Sequence, residues 1–293
     1  MSDFNDHWLA LRASADSAAR ADHLVATLGS LPVPAHGGLK VLDLGCGIGA
    51  NLRHLAPLLA AAGHAHQQWT CVDRDSALLA RLPARTHAWA DARDLACAGT
   101  GAGLHIQADA WQADVAWKAM DLAVDVNRLP LPAGGLVTAS ALLDLVSERW
   151  LAILLRRCRT AGCALMLALS YDGRCGLSPA HPDDTRVIGL VNRHQRIDKG
   201  FGLALGPGAA ATAGHRCSVL GYRVRAAPSD WHIGPELAEL QRVLLDGWRD
   251  AAAQMADADA AGWLDDWHAA HLASIEGGTL QMVVGHMDLV VLP

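Results

Sequence analysis

Three glycines and a nearby acid form the pattern in this chain that is best suited to chemistry. In the segment VLDLGCGIGA, an apolar run contains an acid, Asp43, near its end. Gly45, Gly47 and Gly49 then alternate with other residues, and a helix-like stretch follows. Glycine has no Cβ atom, so a ligand can come close to the backbone of such a turn. The succession of strand, tight turn and helix start therefore predicts a site for a nucleotide-like cofactor.

A second acid follows at the position that this arrangement requires. Residues 68–73 predict a second buried strand that ends at Asp73. In doubly wound folds, an acid at the end of the second strand accepts hydrogen bonds from ribose hydroxyls. Asp73 lies 24 residues after Gly49, somewhat beyond the spacing of about 20 residues in dinucleotide-binding proteins. A solvated turn residue is the weaker interpretation of Asp73.

The glycine segment resembles motif I of the class I S-adenosylmethionine (SAM)-dependent methyltransferases, which runs hydrophobic-hydrophobic-Asp-hydrophobic-Gly-x-Gly-x-Gly. The resemblance implies SAM as cofactor and S-adenosylhomocysteine as product, with Asp43 reaching the charged amino-acid end directly or through water. Gly45-x-Gly47-x-x-Ala50 also fits the looser dinucleotide fingerprint, so an NAD-dependent oxidoreductase remains an alternative. A non-catalytic SAM-binding protein of the same fold is a second one. The implied cofactor contacts in the first two strand ends are Asp43, Gly45, Cys46, Gly47, Gly49, Asp73 and Arg74.

Two further strand ends complete the implied cofactor site. In the family, an acid after the third strand often contacts the adenine amino group. The third strand is predicted at 114–120, so the resemblance indicates Asp121 for this role, with Asp125 as the alternative. The fourth strand and its exit, residues 136–145, resemble motif IV, the point nearest the transferred methyl group. Ser140 and Asp144 therefore receive functional weight, although Asp144 could equally cap the next helix or face solvent.

Methyl transfer needs a general base when the acceptor must lose a proton during the reaction. The catalytic candidates are Asp144, Tyr171 and His194. His194 is the first choice, because the ordinary pKa of histidine is near neutrality and Arg193 and Arg196 beside it could hold a carboxylate. A solvated helix face is an equally strong interpretation of that segment.

The order of predicted elements indicates an α/β fold. We expect a doubly wound, mostly parallel seven-stranded sheet with an antiparallel last strand, and helical inserts after strand five and between strands six and seven. Helices are predicted at 8–29 and 86–103, and strand six begins at 219. Residues 1–37 form a helical cover and linker, and residues 38–293 form the methyltransferase domain. Within it, residues 172–206 and 234–276 are expected to serve as a lid or acceptor site.

Composition limits the classes of partner. The chain has 293 residues, a net charge of −6 and no basic block, which argues against a nucleic-acid substrate. No apolar run is long enough to predict a membrane span. Seven cysteines without a C-x-x-C pair, and a polar N-terminus, predict a cytoplasmic protein with reduced thiols.

We therefore expect SAM-dependent methylation of a small molecule, with O- and N-methylation both open and the oligomeric state not predicted. His268 and His271 lie on one helical face but lack the glutamate of the H-E-x-x-H motif. No metal is expected for that reason.

Overall fold

The computed structural model describes residues 6–32, 37–257 and 261–293, with the side chains of residues 6 and 261 excepted. Its centre is one mixed sheet in the order β3-β4-β5-β2-β1-β6-β7-β10-β8, with β9 paired to β10. The strands are β1 (Leu39–Leu44), β2 (His66–Asp73), β3 (Ala96–Thr100), β4 (Gly103–Gln107), β5 (Gln112–Ala119), β6 (Leu136–Ser140), β7 (Ala164–Ser178), β8 (Arg223–Pro228), β9 (Trp231–Ile233) and β10 (Gln281–Leu292).

Helices lie between most of the sequential strands, and the first helix precedes the sheet. They are α1 (Asp6–Ala19), α2 (Ala50–Ala61), α3 (Ser76–Asp91), α4 (Leu122–Asp125), α5 (Glu148–Thr160), α6 (Asp184–His194), α7 (Ala209–Val219), α8 (Ala238–Met255) and α9 (Ala261–Glu276). Short 3-10 segments include Asp22–Ser30, which follows α1.

The predicted doubly wound sheet is confirmed. Strands β5, β2, β1, β6 and β7 run parallel to one another, and β10 is inserted antiparallel between β7 and β8. The first strand, β1, lies in the middle of the sheet. β2 to β5 lie on one side of it, and β6 and the later strands lie on the other. Ligands of open α/β sheets bind at the carboxyl ends of the strands where this reversal occurs, which here is the edge shared by β1, β2 and β6.

Apolar side chains cover both faces of this sheet. Leu52, Leu55 and Leu59 of α2 are fully buried on one face, and Leu151 and Leu155 of α5 are fully buried on the other. Each such side chain contributes about 1.5–3 kcal/mol relative to an exposed position. The i, i+3/i+4 spacing that predicted these helices is therefore also what holds them against the strands.

A β-hairpin replaces part of the helix predicted at 86–103, and that prediction was wrong. α3 ends at Asp91, and β3 and β4 pair antiparallel at the edge beyond β5. Leu104 and Ile106 alternate with more exposed residues and are buried against the core, which is the two-residue period of a strand. With β9, the hairpin raises the predicted seven strands to ten.

Three boundaries also differ from expectation. The helix predicted at 8–29 breaks after Ala19 and resumes as a 3-10 segment, and α7 continues to Val219, where a strand was expected. β7 runs on to Ser178, past the end of the parallel strands. Residues 33–36 of the predicted linker lie outside the described residues.

The long end of β7 forms a small second layer above the carboxyl ends of the parallel strands. There it pairs with the beginning of β10, which also pairs with β9. The predicted inserts supply α6 against β7 and α8 against α6, and α1 packs on β9. Their shared apolar core includes Tyr171, Trp231, Trp248 and Trp267.

No helix among residues 6–32, 37–257 and 261–293 is long and apolar enough to cross a membrane. All seven cysteines are unpaired, and most are buried.

Candidate active site

The glycine loop joins β1 to α2 at the carboxyl edge of the sheet. Its three glycines have positive φ values, 66° at Gly45, 51° at Gly47 and 79° at Gly49. Residues with a Cβ atom rarely adopt such values. The N–H groups of Gly45 and Cys46 donate to the carbonyl of Val72, at 2.9 and 3.1 Å. These hydrogen bonds hold the loop against the end of β2. Because these two amides already have acceptors, the loop gives a ligand space beside the backbone and few free N–H donors.

Asp73 fastens the same loop from its side chain. Its Oδ2 atom accepts the Gly47 N–H at 2.8 Å, and its Oδ1 atom accepts the Asp75 N–H at 2.9 Å. A carboxylate has about four lone-pair sites, so two remain for other donors. Arg74 follows at the strand end, and a Cβ atom on Gly200 would lie 3.8 Å from its Nη1 atom.

Asp43 lies at the end of β1 and is fully buried. Its Oδ1 atom accepts a hydrogen bond of 2.8 Å from Asn51 Nδ2, and its Oδ2 atom has no partner among the described residues. Burial raises the pKa of Asp43 to about 7, although the Asn51 hydrogen bond and the charge of Arg20 act in the opposite direction. A buried acceptor without a donor costs free energy of folding, and a donor from a ligand would remove that cost.

Arg20, which sequence analysis missed, reaches this network from the break between α1 and the 3-10 segment. It donates to Asn51 Oδ1 at 2.7 Å and to Ser140 Oγ at 3.2 Å. Ser140, at the end of β6, is thus brought to Asp43 through two intermediate side chains. Neither Arg20 nor Asn51 belongs to a motif, and only their positions before β1 and after Gly49 could have drawn attention to them.

Asp121 is the N-terminal cap of α4, just beyond β5. Its carboxylate accepts the Ala123 N–H at 2.9 Å and is exposed. Met120 donates its N–H to the carbonyl of Asp73 at 2.8 Å, which puts Asp121 next to the end of β2. The alternative, Asp125, lies 3.8 Å from Arg128 in an ion pair. The cap leaves Asp121 one carboxylate oxygen with which to contact a ligand.

Asp144 does not cap the next helix, and one of its carboxylate oxygens is enclosed by the protein. Ser147 provides the cap of α5, and Asp144 Oδ1 is enclosed without a partner among the described residues, although the residue as a whole is partly exposed. Burial raises the pKa of Asp144 to about 6, and the charges of Arg12 and Lys199 oppose that rise. Asp144 thus lies near enough to two cations for their charges to act on it.

Tyr171 stands at the level where β7 leaves the parallel sheet. Its hydroxyl donates to Asn192 Oδ1 at 2.7 Å and lies 3.4 Å from Cys175 Sγ. Burial raises the pKa of Tyr171 far above its ordinary value. The side chain is therefore a neutral hydrogen-bonding group and not a base.

His194 ends α6, and its Nδ1 atom lies 3.5 Å from Lys199 Nζ. Burial and the Lys199 charge lower the pKa of His194, so the ring is neutral at pH 7. Burial also lowers the pKa of Lys199, and Asp144 opposes that effect. Lys199 therefore connects two of the predicted catalytic residues. Neighbouring Arg193 donates to the carbonyl of Met255 at 3.0 Å.

Two segments border the glycine loop and Arg74. A Cβ atom on Gly47 would lie 3.8 Å from Leu9 of α1, and the loop that follows α6 brings Gly200 to Arg74. A groove of about 590 Å³ lies elsewhere, between β7 and α6, and is not at the glycine loop. It adjoins Asn192, whose amide also holds Tyr171.

The described residues contain no group of three or more His, Cys, Asp or Glu side chains that could hold a metal ion. His268 and His271 bind separate carboxylates instead. His268 Nε2 lies 2.7 Å from Asp246, and His271 Nε2 lies 2.8 Å from Asp184.

Comparison with known proteins finds similar solved structures at low sequence identity. No protein-family model matches the chain, and no curated protein matches it. Solved structures that it resembles include a cyclopropane-fatty-acyl-phospholipid synthase-like protein from Lactobacillus casei, at 12% identity and a TM-score of 0.49, over 98% of this chain and 93% of that one.

A SAM-dependent methyltransferase from Thiobacillus denitrificans in complex with S-adenosylhomocysteine is 13% identical at a TM-score of 0.44, over 99% of this chain and 100% of that one. An N-methyltransferase from Haemonchus contortus is 15% identical at a TM-score of 0.45, and the match covers 100% of this chain but 58% of that one. We base the proposed function on the strand order and on the contacts within this chain.

Proposed function

We propose that this chain binds SAM at the carboxyl ends of β1, β2 and β6 and transfers the methyl group to a small-molecule oxygen or nitrogen. The observation that carries the proposal is the glycine loop beside an unpartnered carboxylate. The amides of Gly45, Cys46 and Gly47 are already bonded to the end of β2, whereas the buried Oδ2 atom of Asp43 lacks a donor. A ligand with an ammonium group satisfies that oxygen.

The same features speak against NAD. A dinucleotide diphosphate binds where backbone N–H groups and a helix N-terminus point at it, and here three N–H groups of the loop are taken. Asp43 and Asp73 would also lie close to its negative charge. In addition, the usual dinucleotide-binding order is 3-2-1-4-5-6, whereas this sheet has an antiparallel strand between its fifth and sixth parallel strands.

We assign roles to the strand ends on this basis. The two remaining lone-pair sites of Asp73 accept the ribose hydroxyls, and Asp121 contacts the adenine amino group, with Asp125 as the alternative. Ser140 lies near the transferred methyl group. The remaining contacts are made by the loop and its neighbour: Gly45, Cys46, Gly47, Gly49 and Arg74.

The reaction forms a bond from the acceptor atom to the methyl carbon and breaks the bond from that carbon to sulfur, and the acceptor proton leaves. SAM supplies an electrophile with a good leaving group, so the protein mainly positions the acceptor. His194 is our candidate base because it is neutral at pH 7. Asp144 is the second, and the Tyr171 hydroxyl orients the acceptor by hydrogen bonding.

The segments above the sheet complete the proposal. Residues 172–206 and 234–276 serve as a lid or acceptor site, residues 1–37 are a helical cover and linker, and residues 38–293 are the methyltransferase domain. The groove between β7 and α6 adjoins Asn192 and is a route by which an acceptor could reach Tyr171. Seven unpaired cysteines support a reducing compartment such as the cytoplasm.

Calorimetric titration of the purified protein with SAM, S-adenosylhomocysteine and NAD tests this function. Binding of both adenosyl-sulfur ligands at roughly micromolar affinity supports it, and methyl transfer to members of an acceptor library completes it. Binding of NAD alone overturns it. Tight SAM binding with no transfer to any acceptor identifies a non-catalytic SAM-binding protein instead.

A further inference from the structure

Arg20 is a buried cation with unused donors. Its side chain is 4% exposed, and of its five N–H groups two donate, to Ser140 and to Asn51. The Nε atom has no hydrogen-bond partner among the described residues. A guanidinium group that is removed from water needs acceptors for its remaining N–H groups, so this site is incomplete as it stands.

The nearest carboxylate does not complete it. Asp288 Oδ2 lies 4.0 Å from Arg20 Nε, which is beyond hydrogen-bond distance. The Asp288 oxygens instead accept the backbone N–H groups of Ala21, at 3.0 Å, and Leu169, at 2.7 Å. Asp288 therefore balances the charge of Arg20 and fixes the chain on which Arg20 stands, and it leaves the guanidinium donors available.

An unused acceptor lies on the other side of Asn51. The Asn51 amide receives a hydrogen bond from Arg20 at 2.7 Å and donates one to Asp43 Oδ1 at 2.8 Å. One amide group thus separates the Arg20 guanidinium from the Asp43 carboxylate, and each has a polar atom without a partner. A free cationic donor and a free anionic acceptor at this separation are complementary to an α-amino acid, which carries an ammonium and a carboxylate on one carbon.

We infer that Arg20 binds the carboxylate of the cofactor's amino-acid end while Asp43 binds its ammonium group, so that the N-terminal segment forms part of the cofactor site. This inference rests on the proposed function. Guanidinium N–H groups pair with a carboxylate in a two-pronged geometry that lysine cannot reproduce. Arg20 and Asn51 also lie at the correct edge, beside Ser140 and at the start of the helix after the glycine loop.

The test compares three ligands that share the adenosyl-sulfur group. S-adenosylhomocysteine carries the whole amino acid, S-adenosyl-3-thiopropylamine carries only the ammonium group, and 5′-methylthioadenosine carries neither. Titration of wild type, Arg20→Gln and Arg20→Lys gives nine dissociation constants. We expect Arg20→Gln to weaken S-adenosylhomocysteine about 10- to 100-fold, the range for a hydrogen bond to a charged group, and to change the other two less than about threefold.

A matched control separates binding from folding. Arg157→Gln also removes a partly buried arginine, which donates to the carbonyls of Val126 and Leu129, and it should leave the ratios among the three ligands unchanged. Arg20→Lys keeps the charge opposite Asp288, so it tests the inference even where Arg20→Gln does not fold. We expect a smaller, still selective loss of S-adenosylhomocysteine affinity.

Equal weakening of all three ligands by both Arg20 variants, or no weakening, overturns the inference and assigns Arg20 a structural role only. In that result the wild type still binds S-adenosylhomocysteine, and the proposed function stands. A wild-type protein that binds none of the three ligands overturns the proposed function and this inference together.

Discussion

Replacing Asp43 with asparagine should stabilise the unliganded protein at alkaline pH while it weakens cofactor binding. Asp43 is fully buried, and one of its oxygens has no donor among the described residues. Asparagine has nearly the same shape, and its Oδ1 atom can still accept the hydrogen bond from Asn51. The substitution therefore removes the buried charge and keeps most of the packing.

The size of the effect follows from the pKa of Asp43, which rises from 3.8 to about 7 on burial. An acid with a higher pKa in the folded state holds its proton longer there, so its contribution to stability is complete below pH 3.8 and is lost as the pH rises through 7. The free energy of unfolding of the variant minus that of the wild type should therefore increase by about 2–3 kcal/mol from pH 5 to pH 8.

Urea unfolding of both proteins at pH 5 and pH 8 measures this difference. Groups that titrate alike in the two proteins cancel in the comparison, and Asp109→Asn is a control for loss of one aspartate at an exposed turn. A difference in unfolding free energy that is the same at both pH values would refute the reasoning. The variant should also bind S-adenosylhomocysteine at least about 10-fold more weakly, because the ligand ammonium loses a charged partner.

Three further substitutions test the remaining parts of the site. Gly47→Val should abolish SAM binding, since a branched side chain at a φ of 51° strains the loop and fills the space beside Leu9; unchanged affinity by calorimetry would exclude the loop. Asp73→Ala should weaken SAM and S-adenosylhomocysteine alike, and an unaltered dissociation constant would remove the ribose role. His194→Ala should lower turnover of an identified acceptor about 100-fold or more with little change in SAM affinity, whereas wild-type turnover would assign His194 to the surface.

The sheet could be predicted because its signals are local. Apolar runs that end in an acid or in glycine marked β1, β2 and β6, and α2 and α5 follow them at helical spacing. In each of these elements the sequence period places the apolar side chains on one face, and that face is the one buried in the structure. The strand order then follows from short, right-handed connections between parallel strands.

The hairpin at the sheet edge could not be predicted in the same way. Leu104 and Ile106 are its only fully buried apolar residues, and glycines at 99, 101 and 103 obscure the alternation. The break in the first helix depends on a contact distant in sequence. The N–H of Ala21 donates to Asp288, 267 residues away, and not to the preceding helical turn.

The residues of the candidate site also divide into those with a local sequence signal and those without one. Asp43, Asp73 and the glycines were recognisable because a motif contains them. Arg20 was not, because its partners Asn51 and Ser140 are 31 and 120 residues distant and only folding brings them together. Asn51 is eight residues from Asp43 but lies just outside the motif. Sequence patterns identify residues that share a local motif more readily than residues that folding alone brings to the same site.

The buried charges of this protein argue for a cationic ligand. Asp43 at the end of β1 and Asp144 beyond β6 each keep an oxygen without a donor, and burial raises the pKa of both, to about 7 and about 6. Such groups cost stability, and an apolar residue of similar size would remove that cost at either position. Both follow strands at the edge where the strand order reverses, so the cost falls where open α/β sheets generally bind their ligands. Arg20 lies near Asp43, and Arg12 and Lys199 act on Asp144, so a ligand with an ammonium group adds a donor for an unpartnered oxygen to positive charge that is already present.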